Sequence, residues 1–143
     1  MENMRKFKSA TGKTFLTISY DSTNDLIYNN WIGYASSENV KQGANSYIEV
    51  LQETSCSSAI TDNSEFVGPW DSSLEWLCNY WVPAAKLSGL RFYAHVVSKG
   101  SFAEEAAKKL AECAENSFEV KLFDRLADAQ DWIKIKTNVV ASA

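Results

Sequence analysis

The sequence has little of the material from which metal centres and disulfide frameworks are built. It contains one histidine, His95, and three widely spaced cysteines, Cys56, Cys78 and Cys113, without a C-x-x-C pair. A tetrahedral zinc site would need all four of these side chains to converge, so we expect no metal ion. The sequence also lacks a cofactor fingerprint. The odd number and wide spacing of the cysteines favour reduced, mostly buried thiols over disulfides.

Clustered positive charge and long apolar runs are also missing. The formal net charge is −4, and the densest basic stretch lies within residues 1–12, which we expect to form a mobile tail without a nucleic-acid partner. No run approaches the roughly 20 apolar residues of a membrane span, and "MENMRKFKSATG" lacks the apolar core of a secretory signal. These features predict a cytoplasmic protein without a membrane span.

Residues 13–136 have the length and the hydrophobic content of one globular domain. Two β-rich segments, 13–20 and 26–33, flank a turn and predict an antiparallel hairpin. Helical and β-rich patterns then alternate, which predicts βαβ crossovers. The expected helices cover about 36–51, 72–87, 101–116 and 124–136, and the expected later strands cover about 57–61, 90–97 and 118–123. We expect residues 137–143 to form a frayed tail.

The predicted fold is an α/β domain of order β-β-α-β-α-β-α-β-α, with a mixed, mostly parallel sheet of about five strands and about four helices. In the second helix, Pro83 should disturb regular hydrogen bonding one turn back, near Asn79. The closing helix should face inward with four apolar residues at helical spacing, Leu126, Ala129, Trp132 and Ile133.

This element order, the segment "AITDNSEFVGPWDSSLEW" and the ending "FDRLADAQDWI" resemble STAS-type domains, the fold of bacterial anti-sigma-factor antagonists. The chain is most similar to divergent bacterial STAS-like proteins that are sometimes compared with CRAL-TRIO lipid-transfer domains. The resemblance covers about residues 13–135 and rests on pattern. It implies a right-handed β-α superhelix that serves in switching between protein partners or, in some members, in sensing a small ligand.

The resemblance also singles out a serine. In the antagonist branch, a DSSGL motif at the start of the second helix carries the serine that a partner kinase phosphorylates. Asp71, Ser72 and Ser73 match the first three letters of this motif, but Leu74 stands where the motif has glycine. The resemblance therefore makes Ser73 a candidate phosphosite.

Helix capping is the alternative explanation of the same serines. Ser72 with Glu75 has the spacing of a capping box, and Ser101 with Glu104 repeats it before the third helix. We therefore expect Ser72 or Asp71 to cap the second helix and Ser101 to cap the third. We favour caps over a phosphorylation switch in this protein.

Polar residues follow the third predicted strand, where open α/β sheets often form their sites. Asp62, Asn63, Glu65 and Asp71 offer oxygen ligands for a hard cation, although their spacing favours solvated loop residues. His95 lies within a strand, opposite in face to Phe92, Ala94 and Val96, where a structural histidine is the usual case. The chain lacks a nucleophile with a suitably placed base, so we expect no enzyme.

Aromatic residues gather in and after one loop: Phe66, Trp70, Trp76, Tyr80 and Trp81. In the second helix, Trp81 falls on the inward stripe, whereas Trp76 and Tyr80 fall off it. Two functions stay open. The first is a non-enzymatic interaction module, self-associating as a homodimer or binding a protein partner through the second helix. The second is a binder of a small apolar molecule between this helix, the 63–70 loop and the sheet.

Overall fold

One mixed β-sheet forms the centre of the domain. The computed structural model describes residues 3–142. Its strands are β1 (Asn3–Lys8), β2 (Thr14–Asp21), β3 (Leu26–Gly33), β4 (Ser58–Phe66), β5 (Phe92–Val96) and β6 (Glu119–Phe123). They lie side by side in chain order. The first three pair antiparallel, and the pairs from β3 to β6 are parallel. The predicted α/β class is confirmed.

Helices cover both faces of this sheet. They are α1 (Ser37–Thr54), α2 (Leu74–Trp76), α3 (Val82–Leu87), α4 (Phe102–Ala114) and α5 (Leu126–Ser142). A π-helical turn, Leu77–Trp81, joins α2 to α3, and we call residues 74–87 the composite helix. This helix packs with α1 and α4 on one face, while α5 contacts β4, β5 and β6 on the other. No helix within residues 3–142 is long and apolar enough to cross a membrane.

The π-helical turn lies where Pro83 was expected to disturb the helix, so this prediction is confirmed. A proline at position 83 has no N–H to donate to the carbonyl of Asn79, and its ring crowds that carbonyl. The backbone N–H of Val82 bonds instead to the carbonyl oxygen of Leu77, five residues back. The helix continues through the proline at the cost of one widened turn.

The sheet has one more strand than the roughly five predicted, because residues 3–8 form β1 rather than a mobile tail. β1 pairs along β2, with Arg5 opposite Ile18. The Arg5 guanidinium also bonds both carboxylate oxygens of Glu53 at 2.7 Å and one of Glu49 at 3.0 Å. These contacts, together with the half-buried Phe7, hold the segment on the sheet.

The C-terminal boundary also differs from the prediction. α5 runs to Ser142, so residues 137–142 continue a helix instead of forming a frayed tail, and residue 143 lies outside the described residues. The Thr137 hydroxyl donates to the carbonyl oxygen of Ile133 at 2.8 Å.

The cysteines divide into two kinds. Cys56 is free and buried, as predicted. Burial raises the pKa of its thiol to about 11. Cys78 of the π-helical turn and Cys113 of α4 form a disulfide across 35 residues of sequence, so the expectation of three reduced thiols is wrong. The two sulfur atoms meet because the composite helix and α4 lie side by side on the same face of the sheet.

The inward face of α5 agrees with its predicted pattern. Ala129 and Ile133 are buried against Ile60, Phe92 and Ala94, which lie on β4 and β5. Leu126 and Trp132 are partly buried beside them, and the Trp132 ring meets the Phe92 ring edge to face. This contact covers the sheet face that the connecting helices leave open.

The docking of α5 predicts a contrast between two isoleucines of the same helix. Ile133 is 2% exposed and Ile135 is 62% exposed. Ile133→Ala should lower the free energy of unfolding by about 2–4 kcal/mol, because it leaves a cavity against β5. Ile135→Ala, the matched control, should change it by less than about 0.5 kcal/mol. Urea denaturation measures both values, and equal effects would show that α5 is not docked through this face.

The disulfide predicts a second stability effect. Closing a loop of 35 residues restricts the unfolded chain, so the double variant Cys78→Ser, Cys113→Ser should lose about 2–4 kcal/mol of unfolding free energy. A phosphine reductant should lower the unfolding free energy of wild type by a similar amount and should leave that of the double variant unchanged. Identical denaturation of oxidised and reduced wild type would contradict a stabilising cross-link.

Candidate functional site

A small, partly open cavity lies between the sheet and the three helices that cover one of its faces, α1, the composite helix and α4. Its volume is about 50 Å³. The sheet, the loop after β4, α1, the composite helix and α4 all contribute to its wall. The lining residues are Trp31, Val40, Ala44, Tyr47, Thr61, Asn63, Phe66, Trp70, Leu77, Trp81, Tyr93, His95 and Leu110. All are buried except Trp31, which is half-buried. The wall is therefore mostly aromatic and aliphatic.

Trp81 anchors the apolar part of the wall. Its indole N–H donates to the carbonyl oxygen of Ala44 at 3.0 Å, so its polar atom is satisfied inside the core. Its ring lies 5.4 Å from that of Tyr47 and 5.8 Å from that of Tyr93, measured between centroids. One residue of the composite helix thus joins α1 to β5.

Gly43 makes room for the opposite wall. A Cβ atom at this position would lie 2.7 Å from the ring of Trp31 and 2.5 Å from Leu16. The missing side chain lets the Trp31 ring rest directly against α1. From there the ring meets Phe66 edge to face, with centroids 6.4 Å apart. This close approach explains a glycine in the middle of a helix, where glycine otherwise costs about 1 kcal/mol.

One end of the cavity is polar, and its centre is the side-chain oxygen of Asn63. This oxygen accepts a hydrogen bond from the indole N–H of Trp70 at 3.2 Å and lies 2.7 Å from Nε2 of His95. The Trp70 ring stacks on the His95 ring, with centroids 5.7 Å apart and planes 4° apart. The loop after β4 is thereby closed over the histidine.

These contacts fix the protonation of His95. Indole is only a donor, so the Asn63 atom that it meets is the oxygen, and Nε2 of His95 must carry the proton that this oxygen accepts. Nδ1 is then an unprotonated acceptor, and it has no hydrogen-bond partner among the described residues. Burial lowers the pKa of His95 to about 4, against a smaller raising effect of Asp62. The ring is neutral at pH 7.

A row of polar residues crosses the sheet at the cavity floor. Asn29, Thr61 and His95 are paired in register on β3, β4 and β5, and the Asn29 amide donates to the Thr61 hydroxyl at 3.4 Å. Tyr47 lies beside Asn29, and burial raises the pKa of its phenol well above the ordinary value. The floor therefore carries neutral hydrogen-bonding groups and no charge of its own.

The four oxygen-bearing residues predicted as a possible cation site do not come together. Asp62 alternates to the α5 side of the sheet, where Tyr28 donates to its Oδ2 at 2.5 Å and the Ser64 N–H donates to its Oδ1 at 2.9 Å. Asn63 faces the cavity, whereas Glu65 and Asp71 are exposed. Over residues 3–142, no group of three or more His, Cys, Asp or Glu side chains has metal-binding geometry.

The serines predicted as caps behave differently from expectation. Asp71 and Ser72 belong to a short 3₁₀ turn, Asp71–Ser73, whose start has no side-chain cap in the described structure. Ser73 is 1% exposed, so its hydroxyl is out of reach of a kinase in the folded domain. The expected caps at Asp71 and Ser72 are wrong because Trp70, held by Asn63, occupies the capping position.

The prediction for the third expected helix, which is α4 in the structure, is confirmed in part. Ser101 holds the N-cap position of α4, but its hydroxyl donates to the carbonyl oxygen of Ser98 at 2.6 Å instead of capping the helix. The Glu104 carboxylate accepts from the N–H of Gly100 at 2.9 Å. A side-chain cap that the sequence analysis missed is Ser36, which accepts from the N–H of Asn39 at 3.1 Å.

The aromatic residues singled out from the sequence separate into two groups. Phe66, Trp70 and Trp81 line the cavity. Trp76 is half-buried and Tyr80 is 67% exposed, and neither residue lines the cavity. Sequence reasoning missed three further aromatic residues of the wall, Trp31, Tyr47 and Tyr93. The alternation of β5 does place Tyr93 on the same face as His95, which is the signal that the sequence offered.

Comparison with known proteins adds no assignment to this geometry. The chain matches no model of a known protein family. It has no significant match among curated protein sequences.

The buried histidine predicts a pH dependence of stability. The pKa of His95 is about 4 when folded, against 6.5 for the free side chain, so the unfolded chain binds a proton more readily. Stability is fully present above pH 6.5 and is lost as the pH falls toward 4. We expect His95 to remove about 2 kcal/mol of unfolding free energy between pH 7 and pH 5.

Denaturant titrations at both pH values measure this loss. The His95→Gln variant is the control, because glutamine does not titrate while the carboxylates of the chain still do. An equal pH dependence in wild type and variant would contradict a neutral buried His95.

Proposed function

We propose that this domain is a non-enzymatic binding module for a small, mostly apolar molecule, built on a STAS-like fold. The observation that carries the proposal is the aromatic cavity between the composite helix, the loop after β4 and the sheet. Binding sites for small molecules are typically concave and apolar with a few placed polar groups, and the Asn63–His95 end supplies such groups. The sequential strand order and the one-sided connecting helices support the STAS-like part of the proposal.

The size of the cavity restricts the ligand. At about 50 Å³, it is smaller than the engineered cavities of about 150 Å³ that hold benzene. Without movement of its wall, the cavity therefore accommodates a ligand of a few heavy atoms. A ring-sized ligand requires the loop that carries Trp70 to move outward, which would break one hydrogen bond to Asn63.

The non-enzymatic part of the proposal rests on how the reactive groups are held. The carboxylate of Asp62 is buried and bonded to Tyr28 and Ser64. Burial raises the pKa of Cys56 to about 11, so it is a thiol and not a nucleophilic thiolate at pH 7. Nε2 of His95 is bonded to Asn63. The STAS-like assignment and a cytoplasmic location stay predictions.

Filling the cavity should abolish ligand binding without unfolding the domain. Ala44 lines the cavity, and the hydrogen bond that it accepts from Trp81 uses its backbone carbonyl oxygen, which the substitution keeps. The unfolding free energy of Ala44→Val should stay within about 1 kcal/mol of the wild-type value, because the added methyl groups enter empty space. Wild type should bind xenon saturably in an NMR titration, and native mass spectrometry should show any ligand retained from the cell; Ala44→Val should show neither.

Ala85→Val is the matched control for this prediction. Ala85 is 0% exposed and lies outside the cavity lining. The added methyl groups should therefore overpack the core and lower the free energy of unfolding by about 1–3 kcal/mol, while xenon binding stays intact. A wild-type protein that binds no xenon would contradict the proposed function.

Self-association is the second candidate function, and the outer face of the composite helix favours it. Tyr80 is 67% exposed and Leu87 is 89% exposed. The Trp76 ring lies beside that of Tyr80 at 6.5 Å between centroids. Large apolar side chains grouped on one helix face are typical of interaction surfaces. We propose a second copy of the chain as the partner on this face.

A single substitution tests self-association. Tyr80→Gln should convert a dimer to a monomer in size-exclusion chromatography with light scattering, because it replaces the central apolar contact with a solvated amide. Phe102→Gln is the control, since Phe102 is 74% exposed on α4 and its loss should leave the dimer unchanged. A wild-type chain that is monomeric at every concentration would contradict this second function.

A further inference from the structure

We infer that the ligand of the cavity is a neutral molecule that donates an N–H or O–H hydrogen bond to Nδ1 of His95. This inference rests on the proposed binding function and names the chemical class of the ligand. It makes His95 one of the few polar groups by which a mostly apolar cavity distinguishes ligands.

The first step is the unused acceptor. His95 is 1% exposed and lines the cavity, and its Nδ1 has no partner within the part of the chain that the structure describes. A buried acceptor without a hydrogen bond carries the full cost of its lost hydration. A ligand that brings a donor removes this cost, whereas a purely apolar ligand does not.

The second step is that the two ring nitrogens of His95 cannot exchange their roles as hydrogen-bond donor and acceptor. Turning the ring by half a turn about its Cβ–Cγ bond would put the carbon Cε1 in the place of Nε2 and would break the hydrogen bond to Asn63. Trp70, which stacks flat on the ring, and Tyr93, at 5.7 Å from it, also obstruct the rotation. Asn63 cannot present its amide N–H₂ to His95 either, because its oxygen is also held by the Trp70 indole. The unpartnered ring atom of His95 is therefore an acceptor and not a donor.

The third step concerns charge. No charged side chain is among the residues that line the cavity, and the buried Asp62 is directed to the opposite face of the sheet. An anion would meet the lone pair of Nδ1, and a cation would lose its hydration without a carboxylate to replace it. A neutral hydrogen-bond donor avoids both of these costs.

Two small molecules of nearly equal shape test the inference without requiring the Trp70 loop to move. 2-Propanol carries an O–H donor, whereas acetone carries only an oxygen acceptor. We expect 2-propanol to bind wild type about fivefold to tenfold more tightly than acetone, the effect of one hydrogen bond. In protein with ¹⁵N-labelled histidine, 2-propanol should change the Nδ1 chemical shift, and acetone should not. His95→Phe should abolish the preference for 2-propanol.

The outcomes separate the inference from the proposed function. Equal binding of 2-propanol and acetone without a change at Nδ1 would overturn the inference and leave the binding cavity standing. Binding of xenon but of neither of these molecules would also overturn it. Failure of xenon and of both molecules would overturn the proposed function as well. If His95→Phe does not fold, the wild-type Nδ1 shift decides the question without a variant.

Discussion

The side-chain oxygen of Asn63 accepts two hydrogen bonds, and the arrangement of the cavity depends on them. One comes from Trp70, seven residues later, and it holds the irregular segment after β4 against the end of the sheet. The other comes from His95 on the neighbouring strand. Together they place the indole over the imidazole, set the histidine tautomer and direct the chain into the composite helix. A residue that looks like an ordinary loop asparagine in the sequence therefore organises both the wall and the polar end of the cavity.

Much of the fold follows from local patterns. The alternation within β5 put His95 on one face and Phe92 and Ala94 on the other, and the structure has this arrangement. The four apolar positions of α5 and the effect of Pro83 were predicted for the same reason, because both depend on residues within one or two turns. β1 was missed because its basic residues suggested a solvated tail. Charged side chains are well tolerated on an edge strand, and the partners of Arg5 lie more than 40 residues away.

The cavity was less predictable than the fold because its members come from distant parts of the chain. Phe66, Trp70 and Trp81 stood out as neighbours in sequence. Trp31 and Tyr47 reach the same space only through the register of β3 and the rotation of α1, neither of which a sequence pattern determines. The Cys78–Cys113 disulfide depends in the same way on the packing of two helices. The predicted caps failed for the opposite reason, since a long-range contact of Trp70 replaced the local rule.

The placement of α5 has a consequence for the order in which the domain can be completed during synthesis. Every strand of the described range, residues 3–142, precedes this helix, and the helices that connect the parallel strands lie on the other face. The apolar row of Ile60, Phe92, Ala94 and Val96 therefore stays uncovered on the nascent chain until α5 has left the ribosome. Uncovered apolar strands are the surfaces that chaperones bind and that lead to aggregation. Among residues 3–142, α5 is the helix that is synthesised last, and its docking ends this exposure.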